Sequence, residues 1–167
     1  MPQDDKALLA RLRERQAEFV VGGGVACVLS GAPLVTYDLD ICIRLTPENL
    51  CRIQAAVKDL HPFHRLSSNQ LPLELTDQLC GRLKNLFLQT DLGKLDCLGE
   101  ITGIGGYDKV AARSDVMPLS FGACRVLSLD ALIEAKESAG KDKDLGALRF
   151  LRAIKDKPKT EGRGRSE

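Results

Sequence analysis

The sequence predicts an α+β domain whose first third follows α/β order. Three observations predict it. Helical and strand-like segments alternate through about residue 60, a strand pair follows near residues 85–98, and the end of the chain is helical. At 167 residues, 44% of them hydrophobic, the chain has the material for one core without disulfide or metal staples.

The elements follow in order. From Asp5 to Phe19, apolar Ala7, Leu8, Leu12 and Phe19 recur between charges, the mark of an amphipathic helix. Phe19 to Val21 is a short apolar strand. It runs into Gly22-Gly23-Gly24 and a helix-like stretch, Val25 to Leu29, ended by Ser30-Gly31. Thr36 to Arg44 reads as a strand. Pro47 opens a helix capped by Thr46, which His61-Pro62 stops after Leu60. Phe63 to Arg82 carries Pro72 and scattered polar residues and has no readable period. Asn85 to Thr90 and Lys94 to Leu98 form a hairpin around Asp91-Leu92-Gly93. Gly105 to Arg113 is a short helix or turn, and Val116 to Phe121 pairs with Cys124 to Leu127 around Gly122. Ser128 caps a helix to Ala139; after a break at Gly140-Lys141-Asp142 a last helix spans Lys143 to Ile154.

Charge and composition narrow the classes. The net charge of +1 gives no global field for nucleic acid. No apolar run approaches the roughly 20 residues of a membrane span, and Met1 to Arg15 lacks the apolar core of a signal peptide. The expectation is a cytoplasmic protein with no membrane partner. Residues 155–167 hold five cations and three anions with Pro and Gly, and read as a disordered, solvated tail. The six cysteines form no C-x-x-C pair; Cys27, Cys42 and Cys97 lie in apolar runs, where a reduced thiol acts as a small hydrophobe. His61 and His64 flank a helix end and read as surface or capping residues rather than zinc ligands.

The chemistry concentrates in Tyr37-Asp38-Leu39-Asp40-Ile41. Along a strand, Asp38 and Asp40 share one face while Leu39 and Ile41 face the core. Adjacent carboxylates repel unless a cation sits between them, and Mg²⁺ or Mn²⁺ is the natural oxygen-liganded partner. Asp96 is another acid set in an apolar strand, Lys94 to Leu98. If that strand lies beside the first, three carboxylates converge and can hold two ions that bridge a triphosphate and an attacking hydroxyl. Asp91 competes for this role but stands beside Gly93 as a turn residue. The upstream glycines let backbone come close to a phosphate at a helix start. Their bland reading is a tight strand-to-helix turn.

In this order the residues resemble a known family. Val21-Gly22-Gly23-Gly24-Val25-Ala26, then thirteen residues (25–37) after Gly24, then Asp38-Leu39-Asp40-Ile41, is similar to the signature of the polymerase-beta-type nucleotidyltransferase superfamily. The segments VTYDLDI, TDLGKLDCLGEITGIGGYDKV and VLSLDALIEAKESAGKDKDL resemble small stand-alone bacterial nucleotidyltransferase-like proteins related to AbiEii-type toxins. The resemblance covers most of residues 18–154. It implies a mixed sheet flanked by helices with a short helical C-terminal portion. The expected domain is 1–154, with a catalytic core at 18–100 and C-terminal helices at 128–154. It also implies catalytic, metal-binding carboxylates at Asp38, Asp40 and Asp96, and a triphosphate-contacting lysine at Lys136. Relatives often carry a basic residue shortly before the acid pair, where this chain has Leu34, Val35 and Tyr37, and a histidine where it has Ser30.

The expected activity is transfer of a nucleoside monophosphate from an NTP, with Mg²⁺ or Mn²⁺, to an RNA, tRNA or protein acceptor, as a toxin with an antitoxin partner. The alternative is an inactive nucleotide- or partner-binding module on the same fold. Gly23 and Gly24 are expected to cradle the phosphates, and Thr36 to offer its hydroxyl, although Thr36 also suits a strand. Lys136 either snorkels from the apolar face of its helix or reaches a phosphate as a point charge. Lys141 and Lys143 read as a solvated loop, and Tyr37 as a residue able to stack on a base.

Overall fold

The computed structural model describes residues 3–157. Helix α1 (Asp5–Glu14) is capped by Asp4, whose carboxylate accepts from the Ala7 N–H. It buries Leu8, Leu9 and Leu12. The helix stops well before Phe19, because Gln16 adopts a left-handed φ of 57° and turns the chain into β1 (Phe19–Val21). Phe19 therefore serves the sheet, where all three β1 residues are buried.

Helix α2 (Gly23–Leu29) follows, then a loop, then β2 (Leu39–Ile43), whose Leu39, Ile41, Cys42 and Ile43 are buried. The strand starts at Leu39 rather than at Thr36. The cause lies next door: the side-chain amide of Gln3 donates to the Lys94 carbonyl (2.9 Å) and its oxygen accepts from the Lys94 N–H (2.8 Å). Lys94 would be the neighbour of Asp38 one rung before the Leu39–Leu95 pair. With that rung filled, residues 36–38 leave the ladder.

Helix α3 (Pro47–Val57) is capped by Thr46 and ends in a 3-10 turn, Lys58–Leu60. The unreadable middle contains a two-residue strand, β3 (Phe63–His64), and helix α4 (Asp77–Arg82). The hairpin β4 (Asn85–Thr90) and β5 (Gly93–Leu98) comes next. A small ribbon, β6 (Glu100–Ile101) and β7 (Gly105–Gly106), precedes α5 (Tyr107–Ala112), then β8 (Ser114–Leu119) and β9 (Gly122–Leu127). Helix α6 (Leu129–Ala139) and, after a 3-10 turn at Asp142–Asp144, helix α7 (Leu145–Asp156) close the fold. Helix α7 starts two residues after Lys143, because residues 142–144 take the tighter turn, and it passes Ile154 into the expected tail. The rest of that tail, residues 158–167, lies outside the described residues.

The seven main strands form one mixed sheet in the order β3-β4-β5-β2-β1-β9-β8. The β2–β5 and β1–β9 pairs are parallel, the others antiparallel. Helices flank it, α1 against α3 and α6 against both α2 and α7. This is the mixed sheet with flanking helices that the sequence predicts. Cys27, Cys42 and Cys97 are buried free thiols, and no described helix is long and apolar enough to cross a membrane.

One buried polar side chain ties the middle of the sheet together. Asn49, fully buried, accepts from the Glu18 N–H (2.7 Å) and donates to the carbonyls of Glu18 (3.0 Å) and Arg44 (2.9 Å). It thus clamps the start of β1 to the end of β2 from the first turn of α3. Asn49→Ala strands the Glu18 N–H and the Arg44 carbonyl, while the Glu18 carbonyl keeps the Arg44 N–H (3.5 Å), at about 1–3 kcal/mol for each group left unsatisfied. Urea denaturation should show a loss of roughly 3 kcal/mol; a loss below about 0.5 kcal/mol would show the clamp to be dispensable.

Candidate active site

Two of the three acids come from adjoining strands, and the third from the bend just before one of them. Parallel pairing of β2 with β5 sets Asp40 directly opposite Asp96. Asp38, two residues before Asp40, sits in the bend just ahead of β2. Each acid offers one carboxylate oxygen, and these oxygens lie within 4.8 Å of one another. Asp96 is buried, while Asp38 and Asp40 are half-buried. The juxtaposition that the sequence made conditional on strand order is therefore present.

Three carboxylates this close repel. Burial first, then the charges of Asp38 and Asp96, push the Asp40 carboxyl up to about 7. Burial also raises Asp96, opposed by the Arg65 guanidinium. A hydrogen bond between the two carboxyls favours the neutral form of Asp40 and the charged form of Asp96, so the proton that the ion-free cluster holds below about pH 7 is on Asp40. Hard oxygen donors converging at ligand separation suit Mg²⁺ or Mn²⁺, which would displace that proton.

Arg65 is the site residue that sequence reasoning missed. It follows β3, and its N–H donates to the Phe87 carbonyl (3.0 Å), extending the strand pairing by one rung. Arg65, Phe87, Asp96 and Asp40 therefore stand in one row across four neighbouring chain segments. The guanidinium lies over the Phe87 ring (5.3 Å to its centre) and grips Asp96 at both oxygens: Nη2 donates to Oδ2 at 2.9 Å and Nη1 to Oδ1. The only sequence trace was Phe63-His64-Arg65, an alternation too short to read as a strand.

The four other expected residues differ in how directly they join the acids. Gly23 does so by contact. Its φ is +58°, and a Cβ there would lie 2.9 Å from the Asp40 Cβ and Cγ. The Gly22 N–H donates to the Asp40 carbonyl (2.9 Å), so this part of the glycine run positions the acid rather than waiting for a phosphate. Gly24 fits against the Thr36 methyl, where a Cβ would come within 3.0 Å. The Thr36 hydroxyl donates to Asp5 (3.1 Å), which tethers the loop before the acids to α1. Lys136 on α6 donates to Asp144 (3.0 Å), and both side chains are mostly buried.

Two pockets lie near these residues, the smaller lined by Asp40 itself and the larger by Tyr37, the residue before Asp38. One, of about 380 Å³, is lined by Gly22, Gly23, Asp40, Lys136, Lys141 and Asp144 among others, so Lys136 and Asp40 share a cavity. The other, of about 690 Å³, is lined by Thr36, Tyr37, Phe63, Gln89 and Lys94 among others. Tyr37 is 75% exposed there, next to Asp38. His61 pairs with Asp91 (2.7 Å) at its rim, as surface and turn residues.

Two outcomes follow from this geometry. Gly23→Ala carries about 1–2 kcal/mol of left-handed backbone strain and drives a methyl into Asp40. It should weaken Mn²⁺ binding measured by calorimetry while circular dichroism stays native; unchanged binding would separate Gly23 from the site. Because folding raises the Asp40 carboxyl above its ordinary 3.8, the ion-free protein binds that proton more tightly than the unfolded chain. Its stability in EDTA should therefore fall as pH rises from about 4 to about 7 and then level off. Mn²⁺ should remove the slope, as should Asp40→Asn. A wild-type urea midpoint that shows no Asp40-dependent fall across this window would contradict the carboxylate crowding.

No protein-family model matches the sequence, and no curated protein matches it. Solved structures do. The chain is similar in fold to ANT(2″)-Ia in complex with adenylyl-2″-tobramycin, at a TM-score of 0.55 and 18% identity. The match covers 88% of this chain and 84% of that one.

Proposed function

We propose that the protein transfers a nucleoside monophosphate from an NTP to an acceptor, using a divalent ion held by Asp38 and Asp40. The convergence of three carboxylate oxygens within 4.8 Å carries this reading. The likeness to ANT(2″)-Ia supports it, because that structure contains an acceptor already joined to an adenylyl group.

A bound Mg²⁺ or Mn²⁺ would neutralise triphosphate charge and the charge developing in transfer. The chain's own residues do the remaining work. Asp38 and Asp40 hold the ion. Gly23 leaves room for Asp40 to reach it. Gly24 and Thr36 shape the loop beside it, and Lys136, in the smaller pocket, offers a charge to the triphosphate. Asp96 orients the acceptor hydroxyl from the neighbouring strand. The hydroxyl oxygen bonds to the α-phosphorus as the α–β bridging bond breaks; pyrophosphate leaves with the bridging oxygen and the hydroxyl proton passes to solvent. Catalysis of this kind is mostly positioning and charge neutralisation.

The acceptor class is RNA, tRNA or protein. The toxin role implied by the sequence resemblance sets the same chemistry in a toxin–antitoxin pair. A binding-only module is the second reading, and specific contacts favour it: the Thr36 hydroxyl and the Lys136 ammonium already have intramolecular partners, Asp5 and Asp144.

Labelled NTPs incubated with Mn²⁺ and mixed RNA and protein acceptors separate these readings. Wild type should label an acceptor, and Asp38→Asn or Asp40→Asn should lower the rate by at least about a hundredfold. If no acceptor is labelled and nucleotide raises the melting temperature equally with and without Mg²⁺, binding alone is the function. Growth arrest on expression, abolished by Asp40→Ala, is the result expected of a toxin; unimpaired growth with wild type would remove that role.

A further inference from the structure

We propose that Arg65 is the fixed second cation of the acid cluster, so that the site takes one divalent ion, on Asp38 and Asp40, where three free carboxylates would take two. The inference rests on reading these acids as an ion site and specifies how that site is loaded.

The geometry is that of a committed pair. Both guanidinium donors meet both oxygens of Asp96, the fork-on-carboxylate arrangement that a lysine cannot reproduce. The guanidinium is braced from beneath by Phe87 and at its backbone by the rung to the Phe87 carbonyl. The side chains are 20% and 7% exposed, so salt screens the pair poorly.

Charge counting leads to the same conclusion. Three ionised carboxylates carry three negative charges, and Arg65 leaves two, the charge of one divalent ion. A two-ion centre holds its metals about 3.5–4 Å apart, with the third carboxylate serving the second ion. Here that carboxylate is already occupied. An incoming second ion would have to detach the guanidinium, leaving a partly buried cation without its partner. Arg65 is thus a positioning residue: it fixes Asp96 and supplies a permanent positive charge beside the other two acids.

Mn²⁺ titration of the full chain, read by electron paramagnetic resonance with and without one equivalent of a non-hydrolysable NTP analogue, tests this. Wild type should bind one Mn²⁺ in the cluster and show no spectrum of exchange-coupled ions. Arg65→Ala should bind two, with coupling; Arg65→Lys should keep one. Arg65→Ala combined with Asp96→Asn should return to one. A coupled pair in wild type, or a single ion in Arg65→Ala, overturns the proposal and leaves the functional reading standing. No bound Mn²⁺ in any state overturns the ion-site reading and this inference with it. If Arg65→Ala does not fold, wild type and Arg65→Lys decide the matter, because a coupled pair in wild type is sufficient to reject it.

Discussion

The parallel pairing of β2 with β5 is the constraint on which the site depends. It sets Asp40 opposite Asp96 in the middle of a seven-stranded sheet, with apolar neighbours along both strands. Like charges at that spacing oppose folding unless protons, a guanidinium or a metal ion offset them. The ion-free protein uses Arg65 on Asp96 and, below about pH 7, a proton on Asp40. The flanking features preserve this arrangement. Asn49 clamps β1 to β2, Gln3 ends the ladder at Lys94 so that Asp38 bends free, and Gly23 removes the side chain that would push Asp40 away.

Much of this was legible in the sequence, for identifiable reasons. Helix starts were readable where a side chain caps the backbone, as Thr46 and Ser128 do for α3 and α6. The β4–β5 hairpin was readable because Gly93 marks the turn, although the turn is only Asp91-Leu92 and Gly93, at φ +115°, already belongs to β5 and pairs with Thr90. The acid pair was readable from its spacing, but strand alternation was only partly the reason it converges: Asp40 lies on β2, whereas Asp38 reaches the cluster from the bend before it. Asp96 required knowledge of strand order, which local pattern does not contain. Arg65 and Asn49 were hidden for the same reason: each acts through partners far away in sequence. The segment after Phe63 showed no period because it holds a two-residue strand and a six-residue helix joined by loops, both shorter than a repeat needs.

The two pockets differ in lining. Lys136 and Gly23 line the smaller pocket, and Tyr37, Phe63, Gln89 and Lys94 the larger. The smaller has two lysines, Lys136 and Lys141, together with the Gly22-Gly23 backbone. The larger combines the aromatic Tyr37 and Phe63 with polar Gln89 and Lys94. The fold it shares with ANT(2″)-Ia does not fix the acceptor.

The central claim is that Asp38 and Asp40 together hold a divalent ion against a nucleoside triphosphate. Anomalous diffraction from crystals soaked with Mn²⁺ and a non-hydrolysable NTP analogue measures it most directly. The account predicts a manganese peak within bonding distance of carboxylate oxygens of both Asp38 and Asp40 and of the triphosphate. Ordered nucleotide with no manganese at these acids, or manganese bound only elsewhere on the protein, would contradict it.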